Sequence, residues 1–394
     1  MRFSGWRILR EGLRGNTGWQ PHWRDAQPKA EYDAIIIGGG GHGLSTAYYL
    51  AKEHGMTNIA VLEKGYLGGG NVGRNTTIVR ANYFLDGNSQ FYSHSLKLWE
   101  NLEQELNYNV MLSQRGQLML CHSDGQRDAY ARRGNSIIGQ GDDAELLDVA
   151  GVRKHAPYLD FENTRFPIYG GLLQKRAGTA RHDAVAWGNS LIDLVVFGRA
   201  AAIRAKKVGI VVAGRSGQVA AMAGMRLPIE SHVLQAFVTE GLKPVIDNVI
   251  SFGMGHFYIS QSDKGGLVFG GDLDFYASYA SRGNLPMAEH VMEAGMTLMP
   301  MIGKAKVLRS WGGIMDMTPD GSPIIDKTET EGLFLNCGWC YGGFKAVPGS
   351  GNSFAHLMAT GEHHAPAAKF RLDRFRTGRG LMDEEGTGAQ HNLH

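Results

Sequence analysis

The sequence predicts an α/β fold: a Rossmann-type parallel-sheet domain interleaved with an α+β domain built on a mixed or antiparallel sheet. Three observations point to it. An apolar strand, a glycine cluster, a helix and a second strand follow one another within residues 33–63. Buried-strand patterns at 208–214 and 332–336 return much later in the chain to the same kind of sheet. Between them, helical periodicity at 90–107 and strand-like runs at 116–122 and 233–275 fit a second domain.

Residues 33–37, DAIII, read as a short, fully buried strand. The helix that follows the glycines spans 44–54, and Gly55 ends it in the C′ position. Residues 58–63, with Ile59, Val61 and Leu62, form the second strand, which closes one β-α-β unit of about 30 residues. The helix at 90–107 puts Leu98, Trp99, Leu102 and Leu106 on one face. Residues 143–156 read as a helix leading to Pro157. In the strand-rich stretch the clearest runs are 257–260 and 266–271. After the last strand at 332–336 comes a glycine-rich turn, with a helix over 353–360.

Gly38, Gly40 and Gly43 satisfy G-x-G-x-x-G in the context that motif requires: a strand before it, a helix after it, and an acidic residue, Glu63, ending the next strand 20 residues later. The glycines let a pyrophosphate approach the backbone at the helix N-terminus, and the carboxylate accepts from a ribose hydroxyl. Glu63 would repel a 2′-phosphate, which disfavours NADP and leaves NAD and FAD. Gly68, Gly70 and Gly73 match the same pattern, but no strand precedes them, so they read as a loop.

Bulk properties limit the function. The 394 residues allow two or three domains, and a net charge of +2 argues against polyanion binding, hence against a nucleic-acid partner. No apolar run reaches the roughly 18 residues that cross a bilayer. Three cysteines, Cys121, Cys337 and Cys340, give no disulfide framework and fit a reducing, cytoplasmic setting. Residues 1–24 are basic, with one acidic residue and three tryptophans, and read as an arm suited to partner contact.

Several blocks together resemble the glycine/D-amino-acid oxidase superfamily of FAD enzymes, and within it the β subunits of heterotetrameric sarcosine oxidases. They are IGGGGHGLS (37–45), LEKGYLGGGNVGRNTTIVRANY (62–83), SLKLWENLEQELNYN (95–109), RAGTARHDAVAWG (176–188), WGGIMDMTPDGSPII (311–325) and NCGWCYGGFKAVPGSG (336–351). The resemblance implies non-covalent FAD, covalent FMN, sarcosine as substrate, and α, γ and δ subunits as partners. It implies an N-terminal arm at 1–31, an FAD-binding domain at 32–90, 165–230 and 305–365, a substrate domain at 91–164 and 231–304, and a polar, partly disordered tail at 366–394.

The resemblance also assigns residues. Arg80 matches the carboxylate-binding arginine of related monomeric enzymes and Lys345 a lysine facing the same carboxylate, with Arg74 nearby; a second arginine of that pattern falls on Thr77. A bidentate arginine suits a carboxylate. The cofactor-binding set is Gly38, Gly40, Gly41, Gly43, Glu63, Lys64, Asn71, Gly214, Gly313 and Gly343, with His182 as the FMN attachment point just before Asp183, the expected N-cap of a helix from Ala184. The relatives' flavin-linking cysteine falls at Gly313, and their oxygen-activating lysine near Val268. The implied reaction is oxidative demethylation of sarcosine by hydride transfer to FAD, with electrons passing to FMN and then to oxygen, giving peroxide. Dehydrogenation of dimethylglycine or a D-amino acid is the alternative.

One segment departs from the family. Residues 189–205 are shorter than their counterpart, whose strands usually run beside the adenine of FAD. A single strand over 191–197 is what this sequence offers. If the loss abolishes flavin binding, the chain becomes a non-catalytic scaffold. Cys337 and Cys340 have C-x-x-C spacing without a thioredoxin-like context, and His363, His364, His391 and His394 lack a metal-ligand pattern, so no metal is expected. No G-x-S-x-G elbow is present.

Overall fold

In a computed structural model the structure is described for residues 4–19, 28–83, 85–190, 195–197, 203–253 and 256–378. In chain order the helices are α1 (Gly5–Leu13), α2 (Gly41–His54), α3 (Asn88–Leu106), α4 (Asp124–Gly139), α5 (Val149–His155), α6 (His182–Asn189), α7 (Ser216–Met222), α8 (Leu285–Leu298), α9 (Val347–Thr360) and α10 (Arg374–Thr377). The first eight strands are β1 (Glu31–Ile37), β2 (Ile59–Leu62), β3 (Ile78–Val79), β4 (Gln117–Cys121), β5 (Glu145–Leu147), β6 (Gly170–Gln174), β7 (Gly178–Thr179) and β8 (Val195–Phe197). The remainder are β9 (Arg204–Ile210), β10 (Glu230–Gly241), β11 (Val249–Phe252), β12 (Phe257–Gln261), β13 (Gly266–Leu273), β14 (Val307–Met317), β15 (Ile324–Lys327) and β16 (Leu333–Cys337).

Two sheets organise the chain. The smaller runs β15-β16-β9-β1-β2-β8 and is parallel except where β15 joins β16. Its centre is the Ile35–Ile36–Ile37 run, paired with Ala60, Val61 and Leu62 on one side and Val208, Gly209 and Ile210 on the other. Strands covered on both faces must be continuously apolar, which is why this run does not alternate. The larger sheet runs β14-β10-β13-β12-β11-β4-β6-β5 and is antiparallel except at the β11–β4 pair. β3 and β7 pair separately.

Each sheet has its own core. Against the first pack α2, α3 and α9, with Tyr49, Phe91, Trp99 and Phe354 fully buried. Behind the second, Phe252, Phe257, Phe269 and Ile259 pack on Val291 and Leu298 of α8. Asn284 caps α8 by accepting from the Met287 N–H at 2.9 Å.

The structure corrects several sequence-level expectations. Residues 143–156 are not one helix. Asp148 accepts from the Gly151 N–H at 2.7 Å, a cap that starts α5 there and leaves Glu145–Leu147 to pair with β6. The last long helix begins at Val347, because Pro348 falls in its first turn, where a missing N–H costs nothing. Gly170–Gln174 and Val307–Met317, placed by sequence in the nucleotide domain, pair in the larger sheet.

The tail is also ordered further than its polarity predicts. Ala367 and Phe370 are buried. Arg374, 2% exposed, makes a two-pronged ion pair with Asp320 at 2.7 and 3.0 Å. Residues 379–394 lie outside the described residues, as do His391 and His394. The strand expected over 191–197 is present at Val195–Phe197, pairing in parallel with β2 at the sheet edge; residues 191–194 and 198–202 lie outside the description.

Candidate active site

A cavity of about 610 Å³ is lined by residues of both sheets. Its first part is backbone. Gly38 has φ +119° and a Cβ there would lie 2.1 Å from the Val211 carbonyl oxygen, so β1 turns hard against the end of β9. At Gly43 a Cβ would meet the Gly38 oxygen at 2.0 Å, which sets the closeness of α2 to β1. Gly40 has nothing within 4 Å of its missing Cβ, and it stands at the N-cap of α2 without a side-chain cap. The uncapped amides of α2 and the positive end of its dipole therefore serve the cavity rather than the protein. Glu63 accepts from the Gly39 N–H at 3.0 Å and the Gly65 N–H at 2.8 Å, which fixes its carboxylate at the rim.

The second part is made of side chains from distant segments. Gln117 of β4, Ser251 of β11 and Tyr258 of β12 face it from the larger sheet, and Gln117 Nε2 donates to Ser251 Oγ at 2.7 Å. Arg80 follows β3 and is 7% exposed. Among the described residues its one hydrogen bond is from Nη1 to Asn82 Oδ1, 2.5 Å, and it has no carboxylate partner there. Lys345, 6% exposed, donates from Nζ to the Tyr341 carbonyl at 2.8 Å.

Of the residues singled out by sequence, Gly38, Gly40, Gly41, Glu63, Lys64, Asn71, Arg74, Arg80, Gly214, Gly313, Gly343 and Lys345 all line this one cavity. Gly43 lies beneath it. Arg74 is tied to main chain, donating to the Gly312 carbonyl at 2.9 Å. Asn71 likewise brackets Ile314, accepting from its N–H at 3.1 Å and donating to its carbonyl. The Gly68–Gly70–Gly73 match has no strand before it and leads into a single 3-10 turn, Asn71–Arg74, yet Gly69 and Gly70 belong to the cavity wall.

His182 is not among the lining residues. It is the first residue of α6, with Arg181 at the N-cap. Asp183 lies inside the first turn, accepting from Arg181 and from the Ala184 N–H at 2.9 Å, so the expected cap is displaced by two residues. Burial holds the His182 imidazole below its ordinary pKa.

Besides Gln117, Ser251 and Tyr258, sequence reasoning missed two ionisable lining groups. His42, inside the glycine cluster, stacks on Trp339 at 4.6 Å and bonds through Nδ1 to Ser350 Oγ at 2.6 Å; burial pushes its pKa down to about 4. Asp316 accepts from the Gly338 N–H at 2.6 Å, and burial raises its pKa to about 6. His42 could have been noticed as the one ionisable residue of the fingerprint. Asp316 carries no sequence signal.

Cys337 and Cys340 are buried thiols, not a disulfide, and burial pushes the Cys337 thiol far up. His363 pairs with Asp326 at 2.9 Å. Among the described residues no group of three or more His, Cys, Asp or Glu is arranged to hold a metal ion, and no helix is long and apolar enough to cross a membrane.

The FAD dependent oxidoreductase family matches residues 33–357. The sarcosine oxidase subunit beta of Rhizobium meliloti (strain 1021) is 61% identical, with all of both chains covered. The chain belongs to the FAD-dependent oxidoreductase family, on its sarcosine oxidase β-subunit branch. A second β subunit of that name, from Rhodobacter capsulatus, is 45% identical over 99% of this chain and all of its own. Among solved structures the L-proline dehydrogenase from P. horikoshii superposes with a TM-score of 0.81, at 22% identity, over 89% of this chain and 99% of its own; this shows the shared fold. The alignment with the Rhizobium chain runs to 417 positions, 23 more than the 394 residues here, consistent with a shortened segment.

The site suits the family's cofactor. An uncapped helix N-terminus beside an open glycine has the chemistry to take a pyrophosphate, and a Glu63 carboxylate held at the rim has that to take a ribose hydroxyl.

Proposed function

We propose that this chain is the substrate-oxidising β subunit of a sarcosine oxidase, acting on the N-methyl group of sarcosine or a close secondary amine. One observation carries the reading: Arg80 is a buried cation without a carboxylate partner among the described residues, and it lines the same cavity as the uncapped N-terminus of α2. A buried charge in that state favours an anionic ligand. FAD, when bound, supplies the two-electron acceptor. The chain's own residues bind and orient. Gly38, Gly40, Gly41 and Glu63 hold the nucleotide. Arg80 and Lys345 hold the substrate carboxylate, which leaves the uncharged amine and its methyl group toward the rest of the cavity.

His182 is proposed as the residue that would hold a covalent FMN, which would supply the place where oxygen is reduced to hydrogen peroxide by the two electrons taken from the amine. Its neutral imidazole, partly exposed and outside the cavity, supports a second site distinct from the first. A flavin mononucleotide adduct on the peptide containing His182, read by mass spectrometry after denaturation, is the expected result; an unmodified peptide from an active complex removes the assignment.

The relatives are named as β subunits, which supports assembly with further subunits; the proposed partners are α, γ and δ subunits, in a cytoplasmic setting that suits three unpaired cysteines. The helix α1 leaves Trp6, Leu9 and Leu13 more than half exposed, with Arg7, Arg10 and Arg14 beside them. A nine-residue helix does not hold itself in water, so this arm fits a partner contact. Deleting residues 1–18 is expected to weaken assembly; an intact complex counts against it.

The deciding experiment is the visible spectrum of the co-expressed complex before and after anaerobic sarcosine. Bleaching of the flavin band is expected. A flavin bleached only by dimethylglycine or a D-amino acid moves the substrate, and a colourless complex makes the chain a scaffold.

A further inference from the structure

We propose that Asn82, Tyr83 and Tyr92 form a charge-preserving mount for Arg80, one that makes the site select a carboxylate over a neutral group of the same shape. The proposal rests on the reading of Arg80 as the substrate's carboxylate anchor. Buried arginines commonly end on a carboxylate, which cancels their charge. Here the acceptor is the neutral amide of Asn82, itself 1% exposed.

The amide's orientation is set from behind. Its Nδ2 lies 2.9 Å from the Met119 sulfur, and its main-chain oxygen accepts from Arg133 Nε at 2.8 Å. Sulfur is only an acceptor for that NH₂ group, so the oxygen faces Arg80. One guanidinium N–H is thereby fixed and none of the charge is cancelled.

The flat face of the guanidinium is held separately. Its Cζ lies 4.6 Å from the centre of the Tyr83 ring. Tyr83 stacks on Tyr92 of α3 at 3.8 Å and 11°. Tyr92 closes against Gly342, where a Cβ would lie 1.7 Å from its hydroxyl oxygen. A π face attracts the cation and fixes its plane without neutralising it. Arg80 thus enters the cavity wall with its plane set and its charge available to a ligand. Asn82, Tyr83 and Tyr92 are positioning residues; none of the three is among the residues lining the cavity.

The test uses the flavin-loaded complex, titrated with acetate and with its uncharged isostere acetamide, read by calorimetry and by perturbation of the flavin band. Asn82→Asp places a carboxylate on Arg80; acetate affinity is expected to fall at least about tenfold while acetamide changes by less than about twofold. Tyr83→Phe keeps the ring and is expected to match wild type, whereas Tyr83→Leu is expected to weaken acetate by about threefold or more. If Asn82→Asp fails to load flavin, the Phe and Leu variants decide. Wild-type acetate affinity in Asn82→Asp, or equal affinities in Tyr83→Phe and Tyr83→Leu, overturns the mount. Arg80→Ala separates the two levels: acetate bound as in wild type removes the anchor and the mount with it. Loss of acetate in Arg80→Ala alone, with the other variants unchanged, removes only the mount.

Discussion

The two ends of the cavity are built on different principles. The nucleotide end is contiguous: Gly38 to Gly43, with Glu63 one strand away, shape it with backbone, and Gly38 and Gly43 are glycines because Cβ atoms there would collide with the Val211 and Gly38 oxygens. The substrate end is gathered from β4, β11, β12, the residue after β3 and the turn before α9, and its chemistry is in side chains. Backbone sites tolerate almost no substitution, because a Cβ cannot rotate away. Side-chain sites lose one interaction at a time.

Gly38→Ala attacks the first kind, and the largest effect is expected there: a complex purified without flavin, read from its visible spectrum. A variant that retains its full flavin content would break the contrast. Next comes the buried ion pair that ties down the tail, away from both ends. Arg374→Ala leaves Asp320 buried without its cation, and about 3–5 kcal/mol of stability should be lost in urea unfolding. A loss within error would mean the pair is dispensable.

Arg80→Ala tests the side-chain end directly. Flavin should remain bound while the sarcosine KM rises about 100-fold, the ~3 kcal/mol of a charge-assisted pair. An unchanged KM defeats the carboxylate assignment, and loss of flavin would show that the two ends are not separable.

The smallest effect concerns pH. His42 is held neutral in the fold, with a pKa of about 4 against an ordinary value of 6.5. The unfolded chain therefore binds the extra proton first. This contribution is complete above pH 6.5 and is lost as pH falls toward 4, about 2 kcal/mol by pH 5. Asp316, raised to about 6, keeps its proton in the fold and acts with the opposite sign over the range from its ordinary 3.8 to 6. The measurement is consequently the difference between wild type and His42→Asn in thermal unfolding at pH 7.5 and pH 5. The wild type should lose more on acidification; parallel losses would show that His42 does not couple to folding.

Local patterns settled much of this protein. The run 33–37, the spacing of Gly38, Gly40 and Gly43, and the Gly55 stop specify β1, α2 and β2, because strand burial, glycine φ and helix ends are short-range properties. Gly38, Gly40 and Glu63 of the fingerprint and the two residues that family resemblance singled out, Arg80 and Lys345, line one cavity. Other features had no local trace. Which sheet receives Gly170–Gln174 and Val307–Met317 depends on pairing with β4, β5 and β10, over separations that periodicity does not report. Arg374 looks like one more charge in a polar tail until folding carries it to Asp320. Asp316, Gln117 and Tyr258 become a cavity wall only when two sheets meet. Sequence by itself determined where the backbone must be glycine. Tertiary structure alone decided which polar side chains are taken out of water together, because that depends on distance in space and not along the chain.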